Sequence, residues 1–327
     1  MTPLLSVRDL VKTFDVKGKG DGVRAVSHVS LDVAPGQTLG IVGESGSGKS
    51  TLGRLMLRLL EPTSGNIAFD GISLTDLNVK DLRRKRRDMQ MIFQDPLASL
   101  DPRMSVRNLI GEPLIIHGLG TKQEQSDKVK DMIERVGLSK DALDRFPHEF
   151  SGGQRQRISI ARAMITLPKL IVADEPVSSL DVSIQSQILN LMLDLRRDLN
   201  LTYVFISHDL AVVQHIADTV AVMYLGEIVE MASATEIFTN PKHPYTRALI
   251  SAIPQVDVSQ RRERIVLGGD IPSPQQPPTG CHFHPRCPVA MPICSQITPA
   301  SLTLQTLDKS ADAHTVSCHL YTEGSES

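Results

Sequence analysis

Short apolar runs alternate with polar stretches in the first third of the chain. Apolar residues alternate with polar ones in Leu4–Phe14, Val23–Val33 and Asn66–Phe69, and Gly and Pro lie in the segments around these runs. This pattern predicts strands. Thr38–Val42 is a short apolar run that leads into a Gly-rich stretch, and a helical pattern follows from Lys49 through Leu60. This part of the chain therefore predicts several strands and one strand–helix pair.

A helical pattern dominates the middle of the chain, from about Asp95 to Ala163, and Asp127–Val136 is amphipathic. Apolar runs typical of strands then return between helix-like stretches, at Leu170–Ala173, Tyr203–Ile206 and Thr219–Tyr224. Strands that alternate with helices around an inserted helical block indicate a mainly parallel α/β core with a helical subdomain.

The pattern changes after about Ala234, where proline and polar residues become frequent. Ile271–Gly280 alone contains four prolines, too many for regular secondary structure. We therefore predict a domain boundary near residue 235, with an irregular extension from 236 to 327, and we find no internal repeat.

The composition narrows the class of protein. A chain of 327 residues is long enough for two domains, and 41% hydrophobic with 22% charged residues is the balance of a globular protein. The formal net charge of −2 gives no support for a nucleic-acid partner, because phosphate backbones attract basic surfaces. The longest apolar runs are far below the roughly 18 residues of a membrane span, and Arg8 and Asp9 interrupt any signal-peptide pattern. We expect a cytosolic chain that reaches a membrane only through a partner.

The first chemical motif is the phosphate-binding pattern G-x-x-x-x-G-K-[ST], which follows a predicted strand and opens a helix. Its glycines let backbone N–H groups point at phosphates, Lys49 reaches the β- and γ-phosphates, and Ser50 offers a hydroxyl to Mg²⁺. A chance glycine-rich turn is the alternative, and the flanking elements make it improbable. The predicted ATP-binding residues are Gly43, Glu44, Ser45, Gly46, Ser47, Gly48, Lys49, Ser50 and Thr51.

Two acids end the apolar run that begins at Leu170. Such a run suits a strand covered on both faces, and the carboxyl ends of strands are where open α/β sheets bind ligands. Asp174 is suited to hold Mg²⁺, and Glu175 to orient or deprotonate the attacking water. Either acid alone could be a simple surface residue, but together they favour catalysis.

A second helix begins at Ser151-Gly152-Gly153-Gln154. Ser151 suits an N-cap, and Ile158, Ala161 and Ile165 form an apolar stripe. The N-terminus of such a helix binds anions, although an ordinary capped helix would give the same pattern.

These three motifs together resemble the Walker A, signature and Walker B motifs of the ABC ATPase family. The signature here reads Phe-Ser-Gly-Gly-Gln, with Phe150 where many members have Leu. The resemblance implies a P-loop ABC ATPase core within residues 1–235. It also implies an antiparallel β subdomain and a helical subdomain at about 95–165.

Four further positions match the family in the same order along the chain. Gln94 resembles the Q-loop residue that touches Mg²⁺, and Asp181 resembles the D-loop aspartate. His208 resembles the switch histidine that contacts the γ-phosphate, and Phe14 the aromatic ring that stacks on adenine. The family arrangement implies that one ATP lies between the phosphate loop of one subunit and the signature, Ser151–Gln154, of another.

The C-terminal extension resembles that of the dipeptide/oligopeptide importer family, of the DppF/OppF type, through His243–Pro254, Gly269–Pro274 and Gly280–Cys287. The resemblance implies a peripheral ATPase at the cytoplasmic face of the inner membrane that powers uptake of short peptides. Its partners would be two integral membrane permeases, a second ABC ATPase (a paralogue or an identical copy) and an extracytoplasmic binding protein. Relatives with this extension also handle nickel, glutathione or antimicrobial peptides.

All four cysteines of the chain lie in this extension, at Cys281, Cys287, Cys294 and Cys318. The first three are too widely spaced for a typical zinc site, and four thiolates can hold a [4Fe–4S] cluster, although this is not a ferredoxin spacing. The resemblance implies such a cluster here. Zinc and unliganded thiols remain the alternatives, with His282, His284 and His314 as other candidate ligands, and the sequence does not separate a structural cluster from a redox-sensing one.

A soluble ABC ATPase of DNA repair or translation is the competing function. Translation members usually carry two nucleotide domains per chain, and repair members carry a long coiled-coil insertion. This chain has one set of motifs and a short interval between Thr51 and Gly153, so the sequence favours a transporter subunit.

Overall fold

The computed structural model describes residues 2–15, 22–253, 265–304 and 313–322. Within them the chain forms two compact units. The first unit draws on Met1–Leu4, Val33–Gln37 and Phe69–Ile206, and the second on Leu5–Asp32, Thr38–Ala68 and Ser207–Ser327.

Parallel strands form the centre of the first unit. In chain order they are β6 (Met89–Ile92), β7 (Leu170–Asp174) and β8 (Thr202–Ser207), and β7 lies between the other two. Every residue of β7 and β8 is buried, as the apolar runs predict. A short strand, β5 (Ile72–Ser73), also belongs to this unit.

Helices make up most of the rest of the first unit, and the block between β6 and β7 is helical as predicted. Its amphipathic segment forms much of helix α5 (Lys122–Arg135), whose buried residues are Val129, Met132 and Ile133. The helices are α2 (Val79–Lys85), α3 (Pro96–Ser99), α4 (Val106–Ile116), α5 (Lys122–Arg135), α6 (Gly152–Met164) and α7 (Val182–Leu199), with 3-10 turns at Lys140–Asp144 and Pro147–Glu149.

The second unit contains two groups of strands. One group is β1 (Leu5–Phe14), β2 (Val23–Val33) and β4 (Ser64–Phe69), with β1 in the middle. In the other, β3 (Thr38–Val42) runs parallel to β9 (Thr219–Tyr224), and antiparallel pairing continues outward through β10 (Glu227–Ser233), β12 (His314–Val316) and β11 (Leu302–Leu304). Its helices are α1 (Lys49–Met56), α8 (Leu210–Ile216), α9 (Ala234–Thr239) and α10 (Pro244–Ser251).

Two features of the second unit differ from the sequence pattern. Helix α1 ends at Met56 instead of Leu60, because Arg58 adopts a left-handed conformation (φ 48°) and its N–H bonds back to Leu55 O at 2.7 Å. The extension, expected to be irregular, contains helix α10 and strands β11 and β12. The two strands are three residues each and too short to give a periodic signal.

The rest of the extension follows the prediction in part. Its described residues from 271 to 280 form neither helix nor strand, as the prolines indicate, and 3-10 turns lie at His284–Arg286, Pro292–Ser295 and His319–Tyr321. Pro254, the last residue of one extension motif, lies outside the described residues, as do 255–264, 305–312 and 323–327. Among the helices that the structure describes, none combines the length and the apolar character needed to cross a bilayer.

Candidate nucleotide-binding site

The phosphate loop connects the C-terminal end of β3 to the start of α1, in the second unit. Gly43 and Gly48 have φ angles of 151° and 101°, and a Cβ at either position would collide with a backbone carbonyl, of Met223 or Ala25 respectively. Only glycine fits at both positions, so the φ angles of the loop and its packing against β9 and β2 both require the motif glycines. Ser45 and Gly46 form its exposed outer part.

Lys49 lies inside this loop and is only 5% exposed. Its Nζ donates hydrogen bonds to the carbonyl oxygens of Gly43, at 2.7 Å, and Glu44, at 2.9 Å. The first turn of α1 contains no acidic residue. A buried ammonium at a helix N-terminus makes this loop a site for anions such as phosphate.

The predicted acids lie in the first unit, at the C-terminal end of β7. Asp174 is 1% exposed. Glu175 follows it and has a left-handed backbone conformation (φ 47°). The Glu175 N–H donates to Ile206 O at 2.9 Å, and this hydrogen bond helps to hold that conformation. Gln94 follows β6, the neighbour of β7, and its Nε2 donates to Glu175 Oε2 at 2.8 Å. The structure therefore brings Gln94 and Glu175 into direct contact, because the carboxyl ends of adjacent parallel strands meet at one edge.

The predicted second anion site is the start of α6, also in the first unit. Ser151 is its N-cap, as predicted, and the Ser151 Oγ accepts a hydrogen bond from Gln154 N at 3.4 Å. Gln154 Oε1 accepts from Ser151 N at 3.0 Å, which completes a capping box. Gly153 packs against Ile184 of α7 where a Cβ would not fit, and Ser151 and Gly152 are exposed.

The remaining predicted residues lie at the ends of elements. Asp181 is the N-cap residue of α7 and is exposed, in the first unit. His208 follows β8 directly and is exposed, and Phe14 ends β1 with 37% exposure and the Lys12 Nζ 5.1 Å from its ring centroid. His208 and Phe14 belong to the second unit, together with the phosphate loop.

The four cysteines are free thiols in the second unit, with Cys294 and Cys318 buried and the other two partly buried. Burial raises the pKa of Cys281 to about 11. The hydrogen bond from the Phe283 N–H lowers this pKa, and the charges of the other three thiols raise it. Backbone N–H groups also bond to the other sulfurs, from Val289, Met291 and Leu320. Considering the described residues alone, no three His, Cys, Asp or Glu side chains form a group able to hold a metal ion.

The three histidines considered as alternative ligands have other contacts. His284 Nδ1 lies 2.9 Å from Cys281 O, and His282 Nδ1 lies 3.5 Å from Glu227 Oε2. His314 is 2% exposed, and its Nε2 lies 2.7 Å from Glu230 Oε1. These contacts assign His314 to the packing of β12 on β10.

Comparison with known proteins decides the family. The ABC transporter family model matches residues 26–178, and the model for the C-terminal region of oligopeptide/dipeptide transporters matches residues 229–294. The oligopeptide transport ATP-binding protein AppF of Bacillus subtilis is 51% identical over 326 residues, which cover 97% of each chain. The dipeptide transport ATP-binding protein DppF of Haemophilus influenzae is 49% identical, over 97% of this chain and 96% of its own. This chain is an ABC transporter ATPase.

Solved structures agree with this assignment. The ATP-binding cassette MJ0796, a dimer in a post-hydrolysis state bound to ADP and phosphate, is 28% identical with a TM-score of 0.65, covering 70% of this chain and 98% of its own. CbiO1 from Clostridium perfringens, part of the CbiONQ ABC transporter complex, is 28% identical with a TM-score of 0.66. The match covers 73% of this chain and 92% of CbiO1. The fold class and the ATPase activity predicted from the motifs are confirmed.

The structure of this ABC ATPase also shows two contacts of the phosphate loop that sequence reasoning missed. Arg286 forms two hydrogen bonds with the carboxylate of Glu44, and the Tyr245 hydroxyl accepts one from the Glu44 N–H. Arg286 stands 242 positions after Glu44, and no motif connects them. Only the folded chain identifies these partners.

Proposed function

We propose that this ABC ATPase hydrolyses ATP to power the uptake of dipeptides and oligopeptides. The names of its relatives AppF and DppF, and the match of its C-terminal region to oligopeptide/dipeptide transporters, support this substrate class. In our proposal it works at the cytoplasmic face of the inner membrane, as a peripheral subunit. Two permease subunits and an extracytoplasmic binding protein deliver the peptide.

The observation that carries the ATP site is the buried Lys49 ammonium, held by the phosphate loop at the start of α1. We assign the β- and γ-phosphates to Lys49 and to the loop N–H groups of residues 43–51. Phe14, which is exposed enough to stack, takes the adenine. In this proposal the phosphate loop and the Phe14 ring together bind one nucleotide.

Asp174, Gln94 and Ser50 fit Mg²⁺ by their chemistry, since this cation prefers carboxylate, amide and hydroxyl oxygens. When bound, the ion neutralises phosphate charge. Glu175 is the proposed base for the attacking water, and its hydrogen bond from Gln94 holds the carboxylate in a fixed orientation. His208 is assigned to the γ-phosphate.

The signature residues act in our proposal on the ATP of a second ABC ATPase, together with Asp181. The exposed Ser151 and Gly152 leave the start of α6 accessible to a partner. A dimeric relative, MJ0796 with ADP and phosphate, supports a paired arrangement. We propose a paralogous ATPase as the second copy, with the identical chain as the alternative.

We also propose that Cys281, Cys287, Cys294 and Cys318 hold a [4Fe–4S] cluster. The chemistry of the donors supports it, because four thiolates can ligate such a cluster and each sulfur accepts a backbone N–H. The whole set belongs to one unit of the chain. Iron and sulfide analysis of anaerobically purified protein should give about four of each per chain; zinc, or no metal at all, would overturn this part.

Uptake tests the function directly. Cells that lack the chain should fail to accumulate labelled di- and oligopeptides, and the wild-type gene should restore uptake. The Glu175→Gln gene should not restore it, because the proposed base is lost. Unchanged peptide uptake in the deletion, with loss of nickel or glutathione uptake instead, would redirect the substrate.

A further inference from the structure

Glu44, the second residue of the phosphate loop, is held through both its backbone and its side chain. Its N–H donates to the hydroxyl of Tyr245, on α10, at 2.9 Å. Its carboxylate accepts from Arg286 Nη1 at 2.7 Å and from Nη2 at 3.0 Å. Both partners lie in the C-terminal region that matches oligopeptide/dipeptide transporters.

The ion pair between Arg286 and Glu44 is sheltered from water. The Arg286 side chain is 7% exposed and that of Glu44 is 26% exposed. Two parallel N–H···O bonds fix the planar groups against each other, which is the strong geometry for this pair. Hydrogen bonding to Glu44 raises the pKa of Arg286. A pair of this kind is far more rigid than an exposed surface pair.

Aromatic packing holds both partners in place. The ring of Tyr245 lies 4.8 Å from that of Tyr224 and 5.4 Å from that of Phe283, and Tyr245 is fully buried. The Arg286 guanidinium lies 6.0 Å from the centroid of the Tyr224 ring. Packing against these rings therefore helps to keep the guanidinium and the phenol in position beside Glu44.

The position of Glu44 matters because its carbonyl oxygen accepts a hydrogen bond from Lys49 Nζ. A shift of Glu44 would move the ammonium that we assign to the phosphates. We propose that Arg286 and Tyr245 are positioning residues that preorganise the phosphate loop and so set its affinity for ATP. This inference rests on the proposed nucleotide site. Because Arg286 directly precedes Cys287, the same contact connects the cysteine region to the loop.

Equilibrium binding of MgATP to the purified full-length chain tests the proposal. Arg286→Gln should weaken binding about tenfold, since it removes a charged pair of hydrogen bonds. Tyr245→Phe keeps the ring packing and removes only the hydroxyl, so a loss of about three- to tenfold isolates that contact. Arg286→Lys keeps the charge but not the paired geometry and should fall between Arg286→Gln and the wild type.

Coupling to Glu44 separates positioning from a general loss of structure. The double variant Arg286→Gln/Glu44→Gln should bind ATP no more weakly than Arg286→Gln alone, because the carboxylate has already lost its partner. Thermal unfolding of each variant identifies temperatures at which it is folded, and binding is measured there. Arg8→Gln is the matched control: Arg8 pairs with Asp32 at 2.7 Å in the same unit, but both side chains are about half exposed.

Two results would overturn the proposal. One is wild-type affinity in both Arg286→Gln and Tyr245→Phe. The other is additive losses from Arg286→Gln and Glu44→Gln, which would show that Arg286 does not act through Glu44. Failure of the nucleotide site itself has a different signature, namely that Lys49→Ala binds ATP like the wild type.

Discussion

Replacing Glu230 should separate the C-terminal extension from the strand on which it packs. Glu230, on β10, is completely buried, and its carboxylate accepts hydrogen bonds from Lys242 N at 2.6 Å, His243 N at 2.9 Å and His314 Nε2 at 2.7 Å. His314 lies on β12, the strand that precedes Cys318. In Glu230→Ala these N–H groups lose the buried carboxylate that accepts their hydrogen bonds.

The cost follows from the lost hydrogen bonds. Each buried donor left without a partner costs about 1–3 kcal/mol, and three of them, with partial relaxation, cost about 4 kcal/mol. Hydrogen bonds to an ionised carboxylate are worth about 1.5–3 kcal/mol each, so the loss of three agrees with a cost of about 4 kcal/mol or more. At about 2–4 °C per kcal/mol for a unit of this size, the melting temperature should fall by about 8–16 °C.

Thermal unfolding followed by circular dichroism measures this fall, with Asp32→Ala as the control. Asp32 also accepts from an arginine at 2.7 Å, but its side chain is 48% exposed, so the control should lose at most about 1 kcal/mol. A melting temperature for Glu230→Ala within about 2 °C of that control would refute the reasoning, because 1 kcal/mol already amounts to that shift.

Three further predictions concern His243, Ser151 and Lys49. Burial lowers the pKa of His243 to about 4, so the native ring stays neutral while the unfolded ring takes a proton near 6.5. The free energy of unfolding should therefore decrease as the pH falls from about 6.5 to about 4, by up to about 1.4 kcal/mol per unit. The variant His243→Asn can still cap α10, but its free energy of unfolding should lack this part of the pH dependence. Unfolding titrations at several pH values measure it, and the same pH slope in the variant and the wild type would contradict the prediction. Ser151→Ala should lower the free energy of unfolding by about 1 kcal/mol in denaturant titrations because it removes the α6 cap, whereas Ser151→Asp should not. Lys49→Ala should abolish detectable MgATP binding in calorimetry, and retained binding would contradict the phosphate assignment.

Local sequence signals were sufficient for the parts of the site that depend on neighbouring residues. Gly43 and Gly48 have positive φ angles that the turn of the loop requires, and Ser151 caps the helix that it precedes. The contact between Gln94 and Glu175 was not predicted, because it depends on the pairing of β6 with β7, which no pattern in the sequence indicated.

Contacts between distant segments gave no such signal. Arg286 reaches Glu44, and His314 reaches Glu230, only because the extension folds back on the rest of the second unit. Nothing in the sequence distinguishes a buried glutamate or a buried histidine from an exposed one. The early end of α1 was missed for a related reason, since a left-handed Arg58 is not visible in an apolar pattern.

The measurement that tests the account most directly is ATP turnover and ATP retention by Glu175→Gln in the assembled transporter. Our account predicts that hydrolysis falls at least about a hundredfold, because the base is lost, while ATP stays bound. A glutamine at this position keeps the size of the side chain and a hydrogen-bonding partner for Gln94, so the fold should be unaffected. Hydrolysis at the wild-type rate would contradict the central claim that Glu175 activates the water in this ATPase.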